Sequence, residues 1–141
     1  MFIVNVEAAI YNEGKWLIIE RSQKEEHAGG MLSLVGGKVD IENNAVDILE
    51  RTIKREVLEE VDVEIRNLKY LQSTSFVTNL NEHVINIVFI CEYKSGVAHP
   101  KSPDEVEEVK WMTSDEIYRH QKAPIYLNES IKLAELKLAT M

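Results

Sequence analysis

The chain has 141 residues and one cysteine, Cys91, which excludes a disulfide framework or a cysteine zinc site and leaves length for a single domain, 1–141, with its own core. A net charge of -8 argues against polymeric nucleic acid as the main partner, because that affinity comes from Lys and Arg neutralising phosphates. No run approaches the roughly 18 apolar residues of a membrane span, and the N-terminal stretch carries Glu7, Asn12 and Glu13, unlike a signal peptide, so a cytoplasmic protein without a membrane partner is expected.

Phe2, Val4, Val6, Ala8 and Ile10 alternate and predict a strand over 2–10. Asn12 and Gly14 signal a hairpin turn, and 16–20 reads as the returning strand. The polar stretch 22–30 ends in Gly29-Gly30 and reads as a loop. A short apolar run, 32–35, precedes Gly36-Gly37, which read as a turn or as a place where backbone comes close to a ligand. After the polar loop 38–44, Val46, Leu49, Ile53 and Val57 predict a helix from about 45 to 61. Strands are expected at 64–77, 83–93 and 106–112, with a turn at 79–82. Thr113 or Ser114 would cap a short helix, Pro124 breaks the chain, and 127–139 reads as a C-terminal helix. This order points to an α+β chain, a mixed sheet with helices packed on it.

The central helix carries Glu56, Glu59 and Glu60. At 100° per residue its apolar stripe spans about 80°; with Glu56 at zero the stripe runs from about 20° to 100°, Glu60 falls at about 40°, and Glu59 lies about 60° to the other side. Two of the three glutamates therefore lie on or beside the face that should meet the sheet. Like charges at i and i+4 repel, the repulsion grows as water leaves, and the last turns present the negative end of the helix dipole. A divalent cation would relieve all three penalties. Mg²⁺ prefers carboxylate and water oxygens and bridges to phosphates, and Mn²⁺ takes similar ligands. Arg55, directly before Glu56, has the planar donors to hold carboxylates in place. The competing reading is a solvated acidic helix face.

Gly37, Arg55-Glu56, Glu59-Glu60 and the aliphatic Val63 together resemble the signature of the Nudix (MutT-like) hydrolases, G-x5-E-x7-R-E-U-x-E-E-x-G-U with U a bulky aliphatic. The half from Arg55 to Glu60 is complete. Three departures stand out. Gly37 to Arg55 spans 18 positions where the pattern has 14, so four residues are inserted, and either Asn43 or Asp47 matches the family's first glutamate; Asp47 is preferred because loops accept insertions better than helices. Asp62 stands where the family has Gly, at a helix exit that Asp tolerates in left-handed backbone. Val35 stands where many members have proline.

The resemblance implies an α/β/α sandwich, with the box helix on one side of the mixed sheet and a C-terminal helix. It implies that Glu56, Glu59 and Glu60, helped by the Gly37 carbonyl, bind Mg²⁺, that Arg55 orients them, and that a P–O–P bond is cleaved in a nucleoside diphosphate linked to another moiety. The general base stays open between a cluster glutamate and the loop carboxylates Asp104, Glu105 and Glu107. Arg21, Lys38 and Lys24 are candidate phosphate contacts, and Phe76, Tyr126 and Trp16 are candidates to stack on a base. Competing readings are a sensing domain of the same fold without catalysis, for which the chain shows no DNA-binding segment and no eroded box; a prenyl diphosphate isomerase, which Cys91 is badly placed to serve; and a structural metal-binding protein. Edge strands and the C-terminal helix offer surfaces for a homodimer.

Overall fold

The computed structural model describes residues 1–25 and 27–141. Strand β1 (Phe2–Asn12) turns at Glu13 and Gly14 into β2 (Lys15–Arg21). Both turn residues have positive φ, 48° and 81°, which suits a two-residue hairpin whose twist matches the flanking strands. The hairpin then opens. β1 and β2 pair only at Tyr11 with Trp16 and Asn12 with Lys15. Beyond that point β1 pairs in parallel with β6 (His83–Ser95) along its whole length, while β2 pairs with β7 (Val106–Met112).

Residues 32–38 fill the wedge between the parting strands. β3 (Leu32–Ser33) pairs with β2, and β4 (Val35–Lys38) crosses to pair with β1. Gly36 and Gly37 are therefore strand residues rather than a turn, opposite Glu7 and Val6. Gly36 has no room for a side chain because the β1 backbone at Val6 and Glu7 lies against it. β5 (Glu64–Val77) completes the sheet as an edge strand antiparallel to β6.

Helix α1 (Ile48–Val61) buries Ile53, Val57 and Val61 against Val6, Ala8 and Ile10 of β1 and Leu17 and Ile19 of β2. On the opposite face, α2 (Ser114–Arg119) and α3 (Ile125–Ala139) pack Ile117, Leu127, Ile131 and Ala134 against Ala9, Trp16, Ile18, Val88 and Ile90. The architecture is the expected α/β/α sandwich around a mixed sheet. Both faces of β1 are covered, so its alternation separates two cores rather than core from solvent.

Several local expectations change. The helix begins at Ile48, not near residue 45, because Asn44 and Asp47 adopt left-handed backbone (φ 55° each). Val46 is thus outside the helix and 75% exposed, not part of the apolar stripe. Asp62 ends α1 in left-handed backbone at φ 61°, as expected for a residue standing in for Gly, and its N–H donates to the Leu58 carbonyl. Thr113 caps α2 in a reciprocal pair with Glu116. Among the described residues no helix is long and apolar enough to cross a membrane.

Candidate active site

A cleft of about 370 Å³ opens where β1 and β2 part, lined by residues that include Asn5, Glu7, Arg21, Gly36, Gly37, Lys38, Glu56, Glu60 and Glu105. Both faces of the sheet contribute. Glu56 and Glu60 come from α1 on one face; Asn5 and Glu7 share the β1 face of Ala9, which packs toward α3. A shallower groove of about 650 Å³ beside Trp111 and His120 lies away from all of these residues.

The acidic end is built by α1 against β4. A side chain at Gly37 would run into the Glu56 carboxyl, so the bare strand backbone there leaves that carboxyl its place against β4. Glu60 is only 6% exposed, and its Oε2 is buried with no hydrogen-bond partner among the described residues. Burial pushes the Glu60 carboxyl up to about 9, with further repulsion from Glu56 and Glu105 and partial relief from Arg21. Burial likewise raises Glu56 to about 7, opposed by Arg55 and reinforced by Glu59, Glu105 and Asp40. Two adjacent carboxyls are thus held where ionisation is unfavourable without a cation.

Arg55 gathers the acidic groups from outside, 3.4 Å from Asp40, 3.6 Å from Glu56 and 3.9 Å from Glu59. Glu59 itself sits at the rim, its side chain 55% exposed, as its position on the far side of the helical wheel predicts. Among the described residues no three acidic, histidine or cysteine groups converge into a ready-made cage. Mg²⁺ does not need one, since it keeps several waters and commonly takes one or two carboxylates together with phosphate oxygens. The orphaned Glu60 oxygen, the adjacent Glu56 and the glycine backbone of β4 fit such an ion.

Of the other residues singled out from sequence, Arg21 and Lys38 line the cleft. The Arg21 guanidinium is fixed by the His27 carbonyl at 3.0 Å and by Glu25 at 3.5 Å. Glu105 reaches the cleft; Asp104 instead pairs with Lys24 on the outer surface at 3.2 Å, and neither of those two lines the cleft. Phe76 is 39% exposed and stacks on His27 with centroids 5.5 Å apart. Tyr126, at the start of α3, is half-exposed and within electrostatic reach of Glu7 and Arg21. Trp16 is not available for stacking. It is fully buried, with Nε1 donating to Glu135 at 2.9 Å and Ser114 at 3.1 Å, because β2 turns its side chain under α3. Neither Asn43 nor Asp47 lines the cleft; both lie in the exposed inserted loop, which Arg51 braces through Glu42 and the Val46 carbonyl.

Sequence reasoning missed Glu7, Asn5 and Asn86. Asn5 Nδ2 donates to Asn86 Oδ1 and Asn86 Nδ2 donates to Glu7 Oε1, both at 2.7 Å. The available signal was three polar side chains on the inward positions of strands otherwise rich in Val and Ile. Burial raises the Glu7 carboxyl, while Asn86 and Arg21 hold it down.

A NUDIX domain model matches residues 1–132. Residues of the chain are 31% identical over 97 positions to the NAD-capped RNA hydrolase NudC of Pectobacterium carotovorum subsp. carotovorum, covering 68% of the chain and 34% of that protein. The chain thus spans about a third of the length of the curated relatives it matches. Among solved structures, a MutT NUDIX hydrolase from Burkholderia pseudomallei superposes with a TM-score of 0.80 at 25% identity, covering 94% of this chain and 98% of that one. The NUDIX domain of Shewanella oneidensis NrtR, solved with ADP ribose, has the same fold at a TM-score of 0.77 and 17% identity, covering 98% and 89%.

Proposed function

The chain belongs to the NUDIX family, and from that premise we propose that residues 1–141 form one hydrolase domain that cleaves a phosphate anhydride bond, with Mg²⁺, in a nucleoside diphosphate linked to another moiety. The observation that carries this reading is the buried, unpartnered Glu60 oxygen beside Glu56, in a cleft that also holds Arg21 and Lys38. Anionic ligands and buried carboxylates share a site comfortably only when a cation lies between them. The names of relatives point the same way: NAD-capped RNA and ADP ribose both contain a diphosphate bridge.

In this reading Glu56, Glu59, Glu60 and the Gly37 carbonyl hold the metal, and Arg55 keeps Glu56 and Glu59 in orientation. When bound, a divalent ion there supplies charge neutralisation of the diphosphate and acidification of water. Arg21 and Lys38 bind the remaining phosphate charge. Glu105, the member of Asp104, Glu105 and Glu107 that lines the cleft, accepts the proton released by the attacking water at its carboxylate oxygen. Little covalent work falls to the protein beyond placement and charge stabilisation.

The test is a panel of nucleoside triphosphates, nucleotide sugars, NAD and ADP ribose incubated with purified protein and Mg²⁺. Release of a nucleoside monophosphate, phosphate or pyrophosphate is expected, lost in Glu59→Gln and Glu60→Gln. Binding of a panel member without turnover, equal in wild type and both variants, would sink the hydrolase reading in favour of a sensing domain.

A further inference from the structure

The end of the cleft away from α1 has a construction of its own. Asn5 and Asn86 lie opposite each other in the parallel β1–β6 pair, and Glu7 follows Asn5 by two on the same face. The Asn5 amide donates to Asn86 Oδ1, so the Asn86 amide is turned with its NH₂ toward Glu7. That NH₂ fills one Glu7 oxygen, Oε1. The other, Oε2, has no hydrogen bond among the described residues, and Glu7 lines the cleft.

Farther along, the same sheet face carries an aromatic pair. Phe76 stands across from Val84, two residues before Asn86 on β6, and so shares the face of Asn86 and Glu7. Its ring is stacked on His27 at an interplanar angle of 12°, and the His27 carbonyl holds Arg21. An anchored, open acceptor on the same cleft as Arg21 and a cluster suited to a metal-bound diphosphate has the layout of a receptor for a hydrogen-bonding group attached to that diphosphate.

We propose that Glu7, anchored by the Asn5–Asn86 pair, is a specificity-determining residue that accepts a hydrogen bond from the exocyclic amino group of a nucleobase, so that adenine and cytosine nucleotides are selected over hypoxanthine and uracil ones. This rests on the proposed nucleotide substrate and adds which bases it carries. With Glu7 ionised, the form that the Asn86 amide and Arg21 favour, a keto oxygen in place of the amino group would face the Glu7 oxygen with no proton between them, leaving a desolvated acceptor unpaired. Selection of this kind is stronger than shape selection, because the mismatched ligand loses a bond and strands a polar group.

Matched pairs test it: AMP against IMP and CMP against UMP, measured for binding with Mg²⁺ by calorimetry, alongside hydrolysis of the corresponding triphosphates. Wild type should favour the amino member of each pair by about tenfold or more, the scale of one hydrogen bond to a carboxyl group. Glu7→Gln should lose or reverse the preference, because Asn86 still orients the side-chain oxygen toward itself and the substituted NH₂ then faces the cleft. A wild-type ratio near one overturns the proposal without recourse to any variant. So does a wild-type preference that Glu7→Gln leaves unchanged while its thermal unfolding matches wild type. Binding ratios that invert in a protein that hydrolyses nothing would support the base-reading role and defeat the hydrolase reading, so the two fail separately.

Discussion

At one end of the cleft Glu60 keeps a buried oxygen without a partner among the described residues; at the other, Glu7 is anchored by Asn86, whose amide is turned by Asn5. Both are acidic groups on inward faces, yet they are constructed for different occupants. The acidic end stacks carboxyl on carboxyl, with burial and Glu105 raising both Glu56 and Glu60 and Glu56 raising Glu60 further, and leaves the repulsion unresolved inside the protein. The polar end resolves its own orientation through neutral amides and leaves one acceptor open. The first arrangement calls for a cation, and the second for a hydrogen-bond donor of defined direction.

The sharpest way to break this comparison is Glu60→Gln. Removing a carboxylate that holds the metal should lower kcat/KM on the order of a thousandfold, comparable to or beyond loss of a principal electrostatic contact in an active site. The same change should stabilise the metal-free protein at alkaline pH, since it deletes a buried charge that the fold accommodates poorly. The sign follows from linkage. Folding raises Glu56 from 4.5 to about 7 and Glu60 from 4.5 to about 9, so the folded state binds protons more tightly than the unfolded one. Their stabilising contribution is complete below pH 4.5 and is lost as pH rises through about 7 and then about 9. In chelator, Tm should therefore fall across that window in wild type and fall less in Glu60→Gln. Added Mg²⁺ should raise the wild-type Tm more at alkaline than at mildly acidic pH, because the ion displaces the protons. A metal-free Tm that climbs with pH would mean the carboxyls are not held as described.

Arg55 is a gentler probe of the same end. It touches Asp40, Glu56 and Glu59 from the solvent side and is itself partly exposed. Arg55→Lys keeps the charge but loses the planar fork, so the Mg²⁺ concentration needed for half-maximal rate should rise about 10- to 100-fold, as for loss of an outer-shell partner of a metal site. A lysine that restores wild-type Mg²⁺ dependence would reduce the role of Arg55 to net charge alone.

The two ends also differ in how far the sequence announced them. Glu56 and Glu60 were visible because a helix repeats every 3.6 residues, so a carboxylate on the apolar stripe stands out on a wheel. The insertion before the helix was visible as well, but its backbone was not: Asn44 and Asp47 take left-handed conformations that start the helix at Ile48 and put Val46 in solvent. Gly36 and Gly37 read as a turn or as a place where backbone comes close to a ligand; in the fold they form a strand, with the β1 backbone against Gly36 and the Glu56 carboxyl against Gly37. Glu7 was the hardest to see. Its function depends on the parallel pairing of β1 with β6, which brings residue 86 beside residue 5, and no local spacing carries that information.

Trp16 marks the boundary of the polar end, and the effect expected there is the smallest on activity. It belongs to the same α3-side layer that Glu7 faces, and as a large aromatic it competes with Phe76 and Tyr126 for the role of base platform. Its position argues otherwise: the ring is sealed in the core and its N–H is committed to Glu135 and Ser114, so it ties β2 to α2 and α3. Trp16→Phe keeps an aromatic in place but removes the donor and some volume, leaving the Glu135 carboxylate to Ser114 alone. The cost should be about 1–3 kcal/mol, read as a drop in Tm of several degrees. The kcat/KM ratios between amino and keto nucleotides should not move, because the side chain lies under the helices and not in the cleft. If those ratios shifted while Tm held, the base platform would have to extend from Phe76 and His27 down to the hairpin, and the separation of cleft from core on this face would be lost.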